Sequence, residues 1–183
     1  MQKFTVQKLA TAGVVGAAYA ALALFGSIFG VTYGPIQCRF SEALCVLPFL
    51  FPETAWGLGI GGLIANVFSP YGLLDIVVGS CATFLAALLT ARCKKKWLAP
   101  LPPVVLNMLL VGAMLAYEEA GASAAFGSVF LFNAATVGIG EAIACYGLGM
   151  LLLYALEKSR FFQNRRRMAE ISTGSGAKSG ENA

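Results

Sequence analysis

The sequence predicts an all-α membrane protein: six transmembrane helices in one bundle, with the N- and C-termini cytoplasmic. Three observations carry this. Hydrophobic residues make up 58% of the 183 and charged residues 12%, whereas a soluble domain is about a quarter charged. The apolar residues fall in runs that approach the roughly 20 needed to cross a bilayer. The basic residues gather beside those runs, where they set topology.

The runs follow in order. The first covers about Gln7 to Gly30, too long for the apolar part of a signal peptide and followed by further spans, so it reads as a retained helix. Tyr33, Gly34 and Pro35 break it. The second, Ile36 to Phe51, carries Arg39 and Glu42 near its start and Pro48 inside, which should kink or shorten it. Pro52 and Glu53 mark a turn. The third covers Thr54 to Phe68, and Ser69 to Gly72 end it. The fourth runs from Leu73 to Ala91. Pro100, Pro102 and Pro103 open the fifth, which continues to Tyr117. Glu118 to Ser123 read as an acidic turn. The last stretch, Ala124 to Leu156, is too long for one straight helix, and Asn133, Gly138 and Gly140 are places for a bend or a loop.

The second and third runs are short for a bilayer, and one of them could be re-entrant. Two tilted helices fit better. Six spans put the N-terminus, the Lys94–Lys96 loop and the basic C-terminal tail on one side, which the positive-inside rule makes cytoplasmic. Five spans would split them. The chain thus divides into a transmembrane domain, residues 1–158, and a basic, then small and polar tail, residues 159–183, whose composition predicts disorder. No internal repeat is visible, which disfavours a transporter built from inverted repeats.

Several function classes fall away. The sequence has no histidine, the commonest general base and metal ligand. No nucleophile motif or metal cluster is present, so neither an enzyme nor a cofactor is expected. Without a P-loop G-x-x-x-x-G-K-[ST], the chain cannot hydrolyse ATP itself. The net charge of +4 comes from helix ends, which favours lipid headgroups over nucleic acid. Cys38, Cys45, Cys81, Cys93 and Cys145 form no C-x-x-C pair or zinc spacing and read mainly as apolar packing residues.

Polar residues within the spans are costly and mark sites or interhelical bonds. Arg39 and Glu42, three apart, share a helix face and either neutralise each other or, with Gln37, present an edge to a planar polar ligand. Asp75 is either a helix N-terminal acid or the partner of a ligand amine. Asn66 and Asn107 suit interhelical hydrogen bonds. Glu141, between Gly140 and Ala142, is the carboxylate hardest to explain by structure alone. On the first helix, Gly13, Ala17 and Ala21 repeat at four, as do Ala12, Gly16 and Ala20. Such stripes let another helix approach closely, within the bundle or from a separate subunit.

The run Gln37-Cys-Arg39-Phe-Ser41-Glu42-Ala-Leu-Cys-Val-Leu-Pro48 resembles the Q-x-R-x-S-E-A-L-x-x-L-P signature of the QueT family. Matches follow in order at Gly61 to Asn66, Gly72 to Ser80, Leu98 to Val104 and Gly140 to Ile143. The resemblance implies the six-helix S component of an energy-coupling factor (ECF) transporter. Such a component binds a vitamin-like compound, here a queuosine precursor of the deazaguanine class, in a prokaryotic cell membrane. It implies as partners a transmembrane T subunit and two ATPase subunits. The small-residue stripe is similar to the A-x-x-x-A docking surface of S components, which carries over to Ala17 and Ala21 with Gly13 as an extension.

Such a ligand suits the polar set. Its amino-pyrimidine edge offers two adjacent donors, which a carboxylate from Glu42, Asp75 or Glu141 accepts as a pair. Gln37, Arg39, Asn66 or Asn107 could donate to its carbonyl, and Tyr33, Phe40, Phe68 or Tyr71 could stack on the ring. An S component for another vitamin and an ATP-independent transporter of small solutes remain as alternatives.

Overall fold

The structure is a computed structural model and describes residues 6–30 and 39–159. Within them the regular structure is entirely helical. In chain order the helices are α1 (Val6–Ile28), α2 (Phe40–Phe49), α3 (Thr54–Val67), α4 (Gly72–Thr90), α5 (Lys96–Ala120) and α6 (Phe126–Lys158). α1, α4, α5 and α6 are long and apolar enough to cross a membrane. Their outer faces are apolar too: Phe25, Leu73, Leu109, Leu131 and Leu151 are all exposed. A soluble monomer rarely shows so much apolar surface.

α2 is a 3-10 helix throughout, with Pro48 inside it. The expected shortening is therefore a change of helix type. Its ten residues rise about 20 Å at 3-10 pitch. α2 packs against α1, α3, α4 and α6, and Ser41 to Ala43 and Cys45 to Pro48 are buried. Most of its residues are buried, Ser41 and Glu42 included, so α2 lies inside the bundle.

α1 and α3 cross at backbone contact. A Cβ on Gly57 would overlap the backbone of Ala12, and one on Gly61 would overlap that of Gly16. The crossing covers Ala12 and Gly16, and Ala20 is buried on the same stripe, while Gly13, Ala17 and Ala21 are exposed. One small-residue stripe therefore serves the bundle and the other is left on its surface.

Two sequence expectations need correction. Glu118 and Glu119 lie in the last turn of α5, and the chain turns only after Gly121, whose φ of +57° ends the helix. The last stretch is one continuous helix of 33 residues, about 50 Å long, with no loop at Asn133, Gly138 or Gly140. Its irregularity comes later, as a π-helical segment over Ile143–Gly149. Gly138 instead makes room for Met108 of α5. The tail beyond Ser159 lies outside the described residues.

Candidate functional site

The buried polar side chains of all six helices form three hydrogen-bonded groups: Arg39–Asp75, a set running from Glu42 to Glu141, and Asn66–Ser80. At the start of α2, Arg39 Nη2 donates to Asp75 Oδ2 of α4 at 3.3 Å, and both side chains are buried. Three residues on, the Glu42 carboxylate is fully buried. Its Oε1 accepts from the Tyr19 hydroxyl of α1 and from Thr83 Oγ1 of α4 at 3.3 Å. Its Oε2 accepts from the Cys45 thiol at 2.9 Å. The neutral donors around Glu42 are thus drawn from three helices.

The Glu42 set continues to α5 and α6 through Cys145. Its thiol donates to the Glu42 backbone carbonyl at 3.3 Å and approaches Glu141 Oε2 at 3.8 Å. Glu141 Oε1 accepts from Asn107 Nδ2 of α5 at 3.0 Å. On the α3–α4 side, Asn66 Nδ2 donates to Ser80 Oγ at 3.2 Å. Gly79 belongs to this corner, since a Cβ there would collide with the Asp75 carboxylate and lie 2.8 Å from Asn66 Nδ2.

The backbone is irregular where these residues sit. π-helical segments begin at Asp75 in α4, at Asn107 in α5, and at Ile143, two residues after Glu141, in α6. Such widened turns inside helices concentrate at functional sites, because they re-aim side chains that a regular helix would direct elsewhere.

Some buried polar atoms have no hydrogen-bond partner among the described residues. They include the acceptors Asp75 Oδ1 and Asn107 Oδ1, the donor Asn133 Nδ2, and Ser41 Oγ. In a low-dielectric interior each carries an unrecovered desolvation cost of roughly 1–3 kcal/mol. Such atoms, set in a bundle with an apolar exterior, offer both donors and acceptors to a polar partner.

The sequence candidates divide as follows. Arg39, Glu42, Asn66, Asp75, Asn107 and Glu141 are all buried, and all belong to this polar interior. Tyr71 is half-buried, packed against the Val111–Met114–Leu115 cluster beyond Asp75. Tyr33 and Gln37 lie outside the described residues. Phe40 and Phe68 are turned largely outward. Gly13 and Ala17 line a groove of about 350 Å3 between α1 and α3, and Ala21 is exposed further along the same helix. A second groove of about 410 Å3 lies between α3 and α4, walled by Trp56, Leu63 and Phe84. None of the buried acids lines either groove.

Four members of the Glu42–Glu141 set escaped the sequence reading: Tyr19, Thr83, Cys45 and Cys145. The cysteines are not mere packing residues, and their spacing was a usable signal. Cys45 follows Glu42 by three and Cys145 follows Glu141 by four, the two intervals that share a helix face. Tyr19 and Thr83 gave no comparable signal within long apolar runs.

The QueT transporter family matches residues 9–158. Among relatives, the queuosine precursor transporter QueT of Lactococcus lactis subsp. cremoris (strain MG1363) is 31% identical over 101 residues. That stretch covers 53% of this chain and 59% of the relative, so the chain spans less than two thirds of the relative it matches. No solved structure matches the chain. With the family match running over most of its length, the chain belongs to the QueT transporter family, a family of membrane transport proteins and not of enzymes.

Proposed function

We propose that this chain is the substrate-binding S component of an ECF-type importer for a queuosine precursor, a deazaguanine. The observation that carries the reading is the set of buried, unpartnered polar atoms inside an apolar bundle, in a chain of the QueT transporter family. A flat ligand with donors on one edge and a carbonyl on another meets both kinds of atom.

In this reading Asp75 accepts from the amino-pyrimidine edge through its Oδ1, and Arg39, held by Asp75, donates to the ring carbonyl. Asn66, Asn107 and Glu141 complete the polar wall. Glu42 holds the wall together, since three protein donors already engage its oxygens. Tyr71 closes one side of the ring, and Tyr33 and Gln37 come from the segment between α1 and α2.

The four long helices cross the bilayer, and α2 and α3 complete six spans as short, tilted ones. That count puts the N-terminus, the Lys94–Lys96 loop and the 159–183 tail together in the cytoplasm of a prokaryotic cell. The exposed stripe Gly13, Ala17 and Ala21 is the docking surface for the T subunit, which brings two ATPases. Its support is that these small residues face outward, where a partner helix can approach closely.

Uptake in cells unable to make the precursor tests this reading. Co-expressed with a T subunit and ATPases, the chain should restore uptake and co-purify with them. Uptake by the chain alone, insensitive to ATP depletion, would overturn it.

A further inference from the structure

The buried charges in the polar interior do not balance. Among the described residues, Glu42, Asp75 and Glu141 are buried acids and Arg39 is a buried base. Arg39 is engaged by Asp75. Glu42 has side-chain donors from Tyr19, Thr83 and Cys45. Glu141 is the least well provided. Asn107 donates to its Oε1, and its Oε2 has only a thiol, a weak donor, at 3.8 Å.

A second observation points to what would complete it. Asn107 is 0% exposed, and its Oδ1 has no partner among the described residues. Turning the amide does not help, because that would set its oxygen against the Glu141 carboxylate, acceptor against acceptor. An acceptor from α5 and an acid from α6 thus sit side by side with too few donors. The group that suits them carries several N–H donors, no acceptor and a positive charge. That group is an ammonium.

We infer that Glu141 and Asn107 form a subsite for a protonated amine, so that this chain selects a cationic, amine-bearing heterocycle over a neutral one with the same ring. The inference rests on the reading of the polar interior as a ligand site. An ammonium brings the buried charge nearer to balance and donates to both acceptors. A nitrile in the same place offers only another acceptor, and a site built for hydrogen bonds rejects the analogue that cannot make them.

Calorimetry on the full, detergent-purified chain tests this with two probes, aminomethyl-deazaguanine and cyano-deazaguanine, at a pH where the amine is protonated. The aminomethyl compound should bind roughly tenfold or more tightly, the worth of a hydrogen bond to a charged group. Glu141→Gln should abolish that preference by weakening the aminomethyl compound more than the cyano compound. Where Glu141→Gln does not fold, the wild-type ratio decides alone. Cyano binding equal to or tighter than aminomethyl binding overturns the amine subsite and leaves the ligand site standing. A preference unchanged in Glu141→Gln overturns its assignment to Glu141. Binding of neither compound overturns the ligand reading and this inference with it.

Discussion

Tyr19 of α1 donates its hydroxyl to Glu42 Oε1 of α2, and both side chains are buried at the centre of the bundle. The same α1 carries the outward stripe Gly13, Ala17 and Ala21 on another face. One helix therefore joins the polar interior to the surface proposed for docking. Tyr19→Phe removes a donor from a buried carboxylate and fills nearly the same volume. It should cost roughly 1–3 kcal/mol of stability, read as a lower denaturation midpoint in detergent. An unchanged midpoint would mean that the bond contributes nothing to the fold.

The α1–α3 crossing makes a sharper prediction. Gly57 and Gly61 face backbone atoms of Ala12 and Gly16, which cannot move aside as a side chain end can. Gly57→Ala should destabilise by at least the roughly 1–3 kcal/mol typical of overpacking. Gly13→Ala is the control, since a Cβ there meets nothing within 4 Å. Equal thermal stability of the two variants would refute the crossing.

Arg39 and Asp75 separate folding from binding. Removing either partner alone leaves a buried charge and should cost about 3–5 kcal/mol. Replacing both, as Arg39→Met with Asp75→Leu, should recover much of that stability, because apolar substitutes of similar volume are often neutral. The double variant should still fail to bind a deazaguanine. Binding by the double variant would remove both residues from the site.

Docking can be tested apart from binding. Ala17→Trp places a large side chain on the exposed stripe, away from the polar network. It should leave calorimetric affinity unchanged and abolish co-purification with the T subunit. Loss of ligand affinity with docking intact would reverse the assignment.

Much of the fold was legible because a bilayer demands long apolar runs, and residues that break helices stand between them. α1, α3 and α4 begin and end within two residues of the runs read from sequence. The π-helical segments were not legible. A single widened turn barely disturbs an apolar pattern, and its cause is packing between helices rather than any one residue. The continuity of α6 was not legible, because Asn133, Gly138 and Gly140 suit a bend or a loop as well as an unbroken helix, in which glycine often serves close packing. In the site, the ionisable residues stood out against an apolar background. The partners that hold them did not, since tyrosine, threonine and cysteine are ordinary within membrane helices.

The central claim is that the buried network around Glu42 and Glu141 binds the ligand. Its most direct test is the dissociation constant for aminomethyl-deazaguanine, measured calorimetrically on the purified chain and on Glu42→Gln and Glu141→Gln. The account predicts tight binding by the unaltered chain and a loss of roughly tenfold or more in each variant. Wild-type affinity in both variants would contradict it.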